Sequence, residues 1–165
     1  MSRRPVNQPL DEGCYYDSVP SPLGNIYLVL LESHLINVSF LRPHCRKGIC
    51  PERIKAQFES YFKGDLRKFD LKMELISGTT FERAVWMSLK KIGYGETRSY
   101  KWLAEEINRP KAARAVGNAL TKNPFPIVLP CHRIIESDNS LGGYSFGIDI
   151  KRRLLDMEYY FSMSN

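Results

Sequence analysis

Two hydrophobic rhythms meet at Ser77-Gly78-Thr79-Thr80, and this change of period constrains the fold more than any other feature of the chain. Before the break, short β-branched and aromatic runs lie at Tyr15 to Val19, Ile26 to Leu31 and Leu35 to Phe40. The first two flank Pro20-Ser21-Pro22-Leu23-Gly24-Asn25, a dense set of turn formers, so the three runs predict an antiparallel meander. In the third run, Ile36, Val38 and Phe40 are expected on one face. Pro51 to Phe62 places Ile54, Phe58, Tyr61 and Phe62 at helical spacing, with Pro51 suited to the first turn and Gly64 to the C-cap. Phe69 to Leu75 is expected to add another strand, and residues up to about Leu10 read as a polar tail.

After the break the period is helical. Thr79 and Glu82 have the spacing of a capping box, and the helix behind them carries Phe81, Val85, Leu89 and Ile92 on one stripe. Ser99 is expected to cap a second helix, with Leu103 and Ile107 inward. Asn108-Arg109-Pro110 then turns the chain into a third helix, Lys111 to Leu120. Two short helices joined by so few residues read as a helix-turn-helix. The third helix carries Ala112, Ala113, Ala115, Gly117 and Ala119, so its surface around Arg114 is smooth. Small side chains suit close approach to a nucleic-acid groove, and they suit close helix packing equally well. Asp149 is expected to cap a last helix with Ile150, Leu154, Met157 and Phe161 inward. The fold class is therefore α/β, with one unit at 1–77 and a mostly helical one at 78–165.

At 165 residues the chain has room for one ordinary domain or two compact ones. The net charge of +6 favours an anionic partner without naming it. No apolar run is long enough to span a bilayer, so no membrane association is expected. The start has no apolar h-region, so a cytoplasmic location is expected, or a nuclear one in a eukaryotic host.

The densest chemistry is Pro130-Cys131-His132-Arg133. The run before it, Ile127-Val128-Leu129, reads as a buried strand ending at Pro130. A thiol at a strand end, beside an imidazole, has the ingredients of an activated nucleophile. The plain alternative is a buried cysteine serving as a small hydrophobe. Glu158 falls on the stripe of the last helix, where a carboxylate needs a partner unless it lies solvated at the stripe's edge. Gly142 to Gly147, with Tyr144 and Phe146, reads as a loop that lines a pocket. His44, Cys45 and Cys50 lie in a basic loop, with Cys14 and His34 as further candidate ligands. Their spacing matches no compact zinc motif, so no metal is expected, and a Cys45–Cys50 disulfide stays open.

Ser99-Tyr100, Pro110-Lys111-Ala112-Ala113-Arg114-Ala115-Val116-Gly117, Asn123-Pro124, Pro130 to Ile135, Gly143-Tyr144-Ser145 and Glu158 together resemble the O6-alkylguanine-DNA alkyltransferase family. The likeness runs from about Thr79 to Glu158, in matching order and spacing. It implies a ribonuclease-H-like α/β first domain of mainly structural role and a winged helix-turn-helix second domain. It implies direct DNA repair without a cofactor, by a monomer that moves an alkyl group from O6 of guanine onto Cys131, once and irreversibly. O4-alkylthymine stays open as a substrate. By resemblance His132 takes the thiol proton through a water, Glu158 supports the imidazolium, and Asn123 braces the site. The third helix would enter the minor groove of double-stranded DNA, with Arg114 filling the stack left by a flipped base. Tyr100 would contact the flipped nucleotide, Tyr144 and Ser145 would cover it, and Phe146 would stand at the lip of the pocket. Lys101, Arg109 and Ser137 are weaker candidates for phosphate contacts. Two rivals use the same residues otherwise: a DNA-binding regulator with Cys131 in its core, and a Cys-His-Glu thiol hydrolase with no need of Arg114.

Overall fold

The computed structural model describes residues 13–164, so the expected polar tail lies outside the described residues. The turn formers close a hairpin: β1 (Cys14–Ser21) pairs antiparallel with β2 (Gly24–Leu31), leaving Pro22 and Leu23 as a two-residue loop. Ser21 locks that loop, its hydroxyl accepting from Leu23 N at 3.1 Å and donating to Gly24 O at 2.6 Å. β3 (His34–Ser39) completes the meander, and the short β4 (Arg46–Lys47) pairs parallel with β1, giving the order β3-β2-β1-β4.

One face assignment is corrected. The β2–β3 register shifts at Val29/Leu30, so Ile36 is an extra residue between the Leu30↔Leu35 and Val29↔Asn37 pairs. A bulge of this kind re-aims the side chains around it. Leu35 and Val38 therefore join the main core and Phe40 packs against it, whereas Ile36 is buried with Cys14, Tyr16 and Val29 in a separate cluster.

α1 (Glu52–Phe62) buries Ile54, Phe58, Tyr61 and Phe62, with Pro51 at the N-cap position. The strand expected at Phe69 to Leu75 reduces to a single bridge, Leu35↔Met73. The outer edge of β3 is divided between two segments. Leu35 exchanges bonds with Lys72 O (3.0 Å) and Glu74 N (2.9 Å), but Val38 N already donates to Pro124 O at 2.8 Å. A longer ladder has no edge left to use.

α2 (Thr80–Ser88) opens on the full capping box between Thr79 and Glu82. Its Trp86 is buried, and the indole N–H donates to Ala119 O at 2.8 Å, tying α2 to the helix that carries Ala119. β5 (Arg98–Ser99) leads directly into α3 (Tyr100–Glu106), whose N-cap Ser99 accepts from Trp102 N. α4 (Ala113–Leu120) follows a tight turn, and β6 (Ile134–Ile135) lies parallel to β5. α5 (Ile148–Met163) is not capped by Asp149. Gly147 precedes it at φ +99° with no side-chain cap, and Asp149 sits in the first turn, where its charge meets the positive helix end.

A single hydrophobic cluster joins Leu28, Phe58 and Tyr61 on one side of Ser77 to Trp86, Leu103, Phe125 and Leu154 on the other. No helix among the described residues is long and apolar enough to cross a membrane.

Candidate active site

The segment before Cys131 is not a strand. Residues 124–129 form a buried turn, and Cys131–Arg133 form one turn of 3-10 helix. Pro124, Pro126 and Pro130 supply no N–H, so a ladder over this run would be half empty. Asn123 does the work of a partner strand. Its amide accepts from Phe125 N at 3.0 Å and donates to Leu129 O at 2.7 Å, clamping both ends of the turn. Leu129 N bonds Phe125 O, and Cys131 N bonds Leu129 O around Pro130, both at 2.8 Å. Ile127 is held at φ +74°, a conformation that costs a β-branched residue of order 1–3 kcal/mol. The backbone under the thiol is thus fixed by bonds that also hold it in strain.

Cys131 is 7% exposed, and His132 and Glu158 are fully buried. His132 Nε2 lies 2.9 Å from Glu158 Oε1. An ionised carboxylate only accepts, so Nε2 carries the proton, and Nδ1, bonded to no protein group, keeps its lone pair. Arg133 completes the pair with a fork: Nε donates to Glu158 Oε2 at 2.9 Å and Nη2 to Oε1 at 2.8 Å. Its Nη1 donates to Ile92 O. Gly95 N adds a bond to Oε2 at 3.3 Å. Gly95 has φ +76°, and a Cβ there would stand 2.8 Å from Ser162 Cβ, so glycine lets this N–H approach.

These contacts set the protonation states. Burial alone would raise the Glu158 carboxyl, but His132 and Arg133 outweigh it and hold it well below the ordinary carboxylate range. Burial pushes His132 below its usual value, against the pull of Glu158. Burial also pushes the Cys131 thiol up, opposed by Asn123, the Lys151 ammonium and Tyr144. At neutral pH the set is a thiol, a neutral imidazole and a carboxylate, an arrangement in which an imidazole could serve a thiol as base.

Besides the Arg133 fork, two site residues escape a reading of the sequence. Lys151 is fully buried, donating to Ile134 O at 2.6 Å and Gly143 O at 3.2 Å, with burial lowering its ammonium to about 8. It shares the α5 face of Leu154 and Glu158 at i, i+3, i+7, so the question asked of Glu158 applied equally to it. Tyr61 comes from α1, far away in sequence, and donates to Glu158 Oε1 at 2.6 Å. Nothing in the sequence separates it from other aromatic core residues.

The remaining candidates divide into two groups. Tyr144 belongs to the site, its buried hydroxyl beside Cys131. Tyr100 is half-buried, with Lys151 Nζ 6.0 Å from its ring centroid. Ser145 donates to Thr121 O at 3.2 Å. Phe146 packs on Phe40 (5.0 Å between centroids) and on Tyr144 (5.9 Å). Arg114, Lys101, Arg109 and Ser137 are all exposed, outside the buried cluster. The small residues of α4 also divide: Ala119 is buried and Gly117 faces the Tyr100 ring, whereas Ala115 is open to solvent.

The basic loop makes no compact centre. Among the described residues no three His, Cys, Asp or Glu side chains come together to hold a metal ion. Cys45 and Cys50 are not joined: Cys45 packs on the small cluster containing Cys14, and Cys50 Sγ donates to Pro51 O.

Residues 80–160 match the family described as the DNA-binding domain of 6-O-methylguanine DNA methyltransferase. Over 153 residues the chain is 44% identical to a methylated-DNA–protein-cysteine methyltransferase of Methanosarcina barkeri, covering 87% of this chain and 96% of that protein. The fold superposes on the crystal structure of Mycobacterium tuberculosis O6-methylguanine methyltransferase with a TM-score of 0.83 at 39% identity, covering 89% of this chain and 93% of that one. The structure of a Mycobacterium tuberculosis relative in complex with DNA matches at TM-score 0.81 and 40% identity, covering 89% and 94%. With identity at this level over nearly the whole of its relatives, the chain belongs to the methylated-DNA–protein-cysteine methyltransferase family.

Proposed function

We propose that the protein repairs DNA directly, moving the alkyl group of O6-alkylguanine in a duplex onto Cys131. The carrying observation is the buried His132–Glu158 pair next in the chain to the buried Cys131, with Nδ1 of the ring bonded to no protein group and Nε2 held by the carboxylate. His132 Nδ1 takes the thiol proton through a water, and the thiolate attacks the alkyl carbon. The S–C bond forms as the C–O6 bond breaks, and guanine leaves with a proton in place of the alkyl group. No electron acceptor or cofactor enters this balance. The thioether has no leaving route, so each molecule acts once.

The target atom is stacked inside a duplex, so the base must flip out, at a cost of a few kcal/mol. The exposed Arg114 on α4 is suited to fill the gap, and the small Ala115 beside it suits a minor groove about 6 Å wide. Tyr100, Tyr144 and Ser145 would surround the flipped base. Lys101, Arg109 and Ser137, all exposed, would meet phosphates. On this reading α3 and α4 act as a helix-turn-helix within a winged domain at 78–165. Residues 1–77, with the ribonuclease-H-like fold, brace it, and the protein works as a monomer.

The test is an intact mass after incubation with an O6-methylguanine duplex. One added methyl, localised to Cys131, is expected. Repeated turnover would mark a hydrolase, and an unmodified protein a DNA-binding regulator.

A further inference from the structure

We propose that Tyr61 is a positioning residue for alkyl transfer: from the N-terminal unit, its hydroxyl fixes the Glu158 carboxylate and, through it, the His132 ring. The inference rests on the Cys131–His132–Glu158 reading above and extends that relay to a helix ahead of the Ser77 break.

The geometry carries it. The 2.6 Å bond from Tyr61 to Glu158 Oε1 is in the range of charge-assisted O–H···O⁻ bonds. The acceptor is the same oxygen that faces His132 Nε2. The phenol cannot swing away, because its ring meets Phe62, Phe69 and Tyr94 at centroid distances of 5.1, 5.4 and 5.8 Å. A buried tyrosine ordinarily finds some acceptor, and a backbone carbonyl would serve. The fold does not send every phenol to this carboxylate. Tyr94, in contact with Tyr61, has a buried hydroxyl with no hydrogen-bond partner.

Oε1 receives three donors, Tyr61, His132 and Arg133 Nη2, and Oε2 receives Arg133 Nε and Gly95 N. Each donor draws charge from the carboxylate and weakens it as an acceptor toward the imidazole. Tyr61 therefore holds His132 in place while restraining its basicity. The other titratable or charged groups around this pair are Tyr94 with Arg67 stacked on its ring, Arg133, Lys151, Cys131 and Tyr144. All of them stay in place when only the phenol is altered.

The experiment is the single-turnover rate against pH, with an O6-methylguanine duplex in excess. Tyr61→Phe removes one donor, so His132 holds its proton more tightly. The acidic limb of the profile should move up by about half a pH unit, with the plateau rate reduced a few fold. Incorporating 3-fluorotyrosine at position 61 strengthens the donor and should move the limb down. Phe58→Leu, one helical turn away and equally buried, should lower the melting temperature and leave the profile where it was. A Tyr61→Phe limb that superimposes on the parent's, or shifts in the same direction with fluorotyrosine, overturns the proposal. Glu158→Gln separates the two levels. If its profile also matches the parent's, the Cys-His-Glu reading has failed rather than the role of Tyr61.

Discussion

Arg133 and Arg114 carry the same guanidinium in opposite surroundings. Arg133 is 5% exposed and spends its donors on Glu158 and Ile92 O, with its guanidinium 5.7 Å from the centre of the Tyr94 ring. Arg114 is exposed on α4. Around Glu158 every charge has a fixed geometry and little water, so its field is strong, short-ranged and largely insensitive to salt. Along α3 and α4 the charges are solvated, so they attract a polyanion from a distance and lose strength as salt rises. On the proposed function, one region makes and moves the proton and the other meets the partner. Mutations should therefore separate rate from affinity, according to the region they touch.

Cys131→Ser makes the sharpest separation. Transfer should vanish, while affinity for a methylated duplex stays within a few fold of the parent, because the thiol meets no phosphate. A titration beside a transfer assay checks both; a large loss of affinity would join the regions that the comparison divides.

Glu158→Gln should forfeit part of the about 100- to 10,000-fold that general base assistance is worth, since His132 remains but loses its support, with DNA affinity preserved. It also leaves Arg133 without its carboxylate, costing up to about 3–5 kcal/mol of stability. Below neutral pH the sign of the pH dependence follows from the depressed His132 and Glu158. His132 gives stability that is present above its ordinary value of 6.5 and lost as pH falls. Glu158 behaves likewise below its ordinary 4.5. The parent's melting temperature should drop on acidification below about pH 6.5 and more steeply below about 4.5, and the second stage should be smaller in Glu158→Gln, where Asp17 and Glu82, also held below their ordinary values by Lys55 and Lys122, keep their own share.

Arg114→Ala works on the other region. Its rate on a lesion in duplex DNA should fall about ten- to a hundredfold, in line with a flipping cost of a few kcal/mol. Its rate on the free O6-alkylated base should change little, since no stack has to be left. Equal losses on both would move Arg114 into folding or catalysis.

The smallest effect is expected at the border between the regions. Phe146 stands between Phe40 and Tyr144, where its ring takes up room beside the proposed base pocket. Phe146→Gly should raise the second-order rate with O6-benzylguanine about tenfold, by relieving about 1.4 kcal/mol of overpacking, and leave methylated duplex unaffected. A parent rate at or above the variant's on the benzyl substrate would show that the ring does not narrow the site.

What the sequence disclosed follows the same division. Local, directional signals were legible: the Thr79–Glu82 capping box and the Ser99 cap formed as their spacing demanded. Glu158 on an apolar stripe demanded a partner, and His132 and Arg133 provide it. The run Ile127-Val128-Leu129 misled because β-branched composition reports burial as readily as extension. The bonds that decide its shape come from Asn123, outside the run. Ile36 misled because a bulge shifts the period within one strand. Tyr61 was beyond reach, since only the packing of α1 against α5 distinguishes its hydroxyl from any other core phenol.

The two rungs between β5 and β6, Arg98↔Ile134 and Ser99↔Ile135, tie the first residue of the α3 entry to the residue just past the 3-10 turn of Cys131. Backbone pairing of this sort has a spacing of about 4.8 Å whatever side chains it carries. If α3 and α4 seat on a duplex as proposed, the rungs act as a caliper, setting how far the sulfur stands from the nucleic-acid axis. Substitutions at 98, 99, 134 and 135 can then alter affinity or packing while the reach of the nucleophile stays the same. Inserting a single residue on one side of the caliper, by contrast, would leave every catalytic group present and the sulfur at the wrong distance.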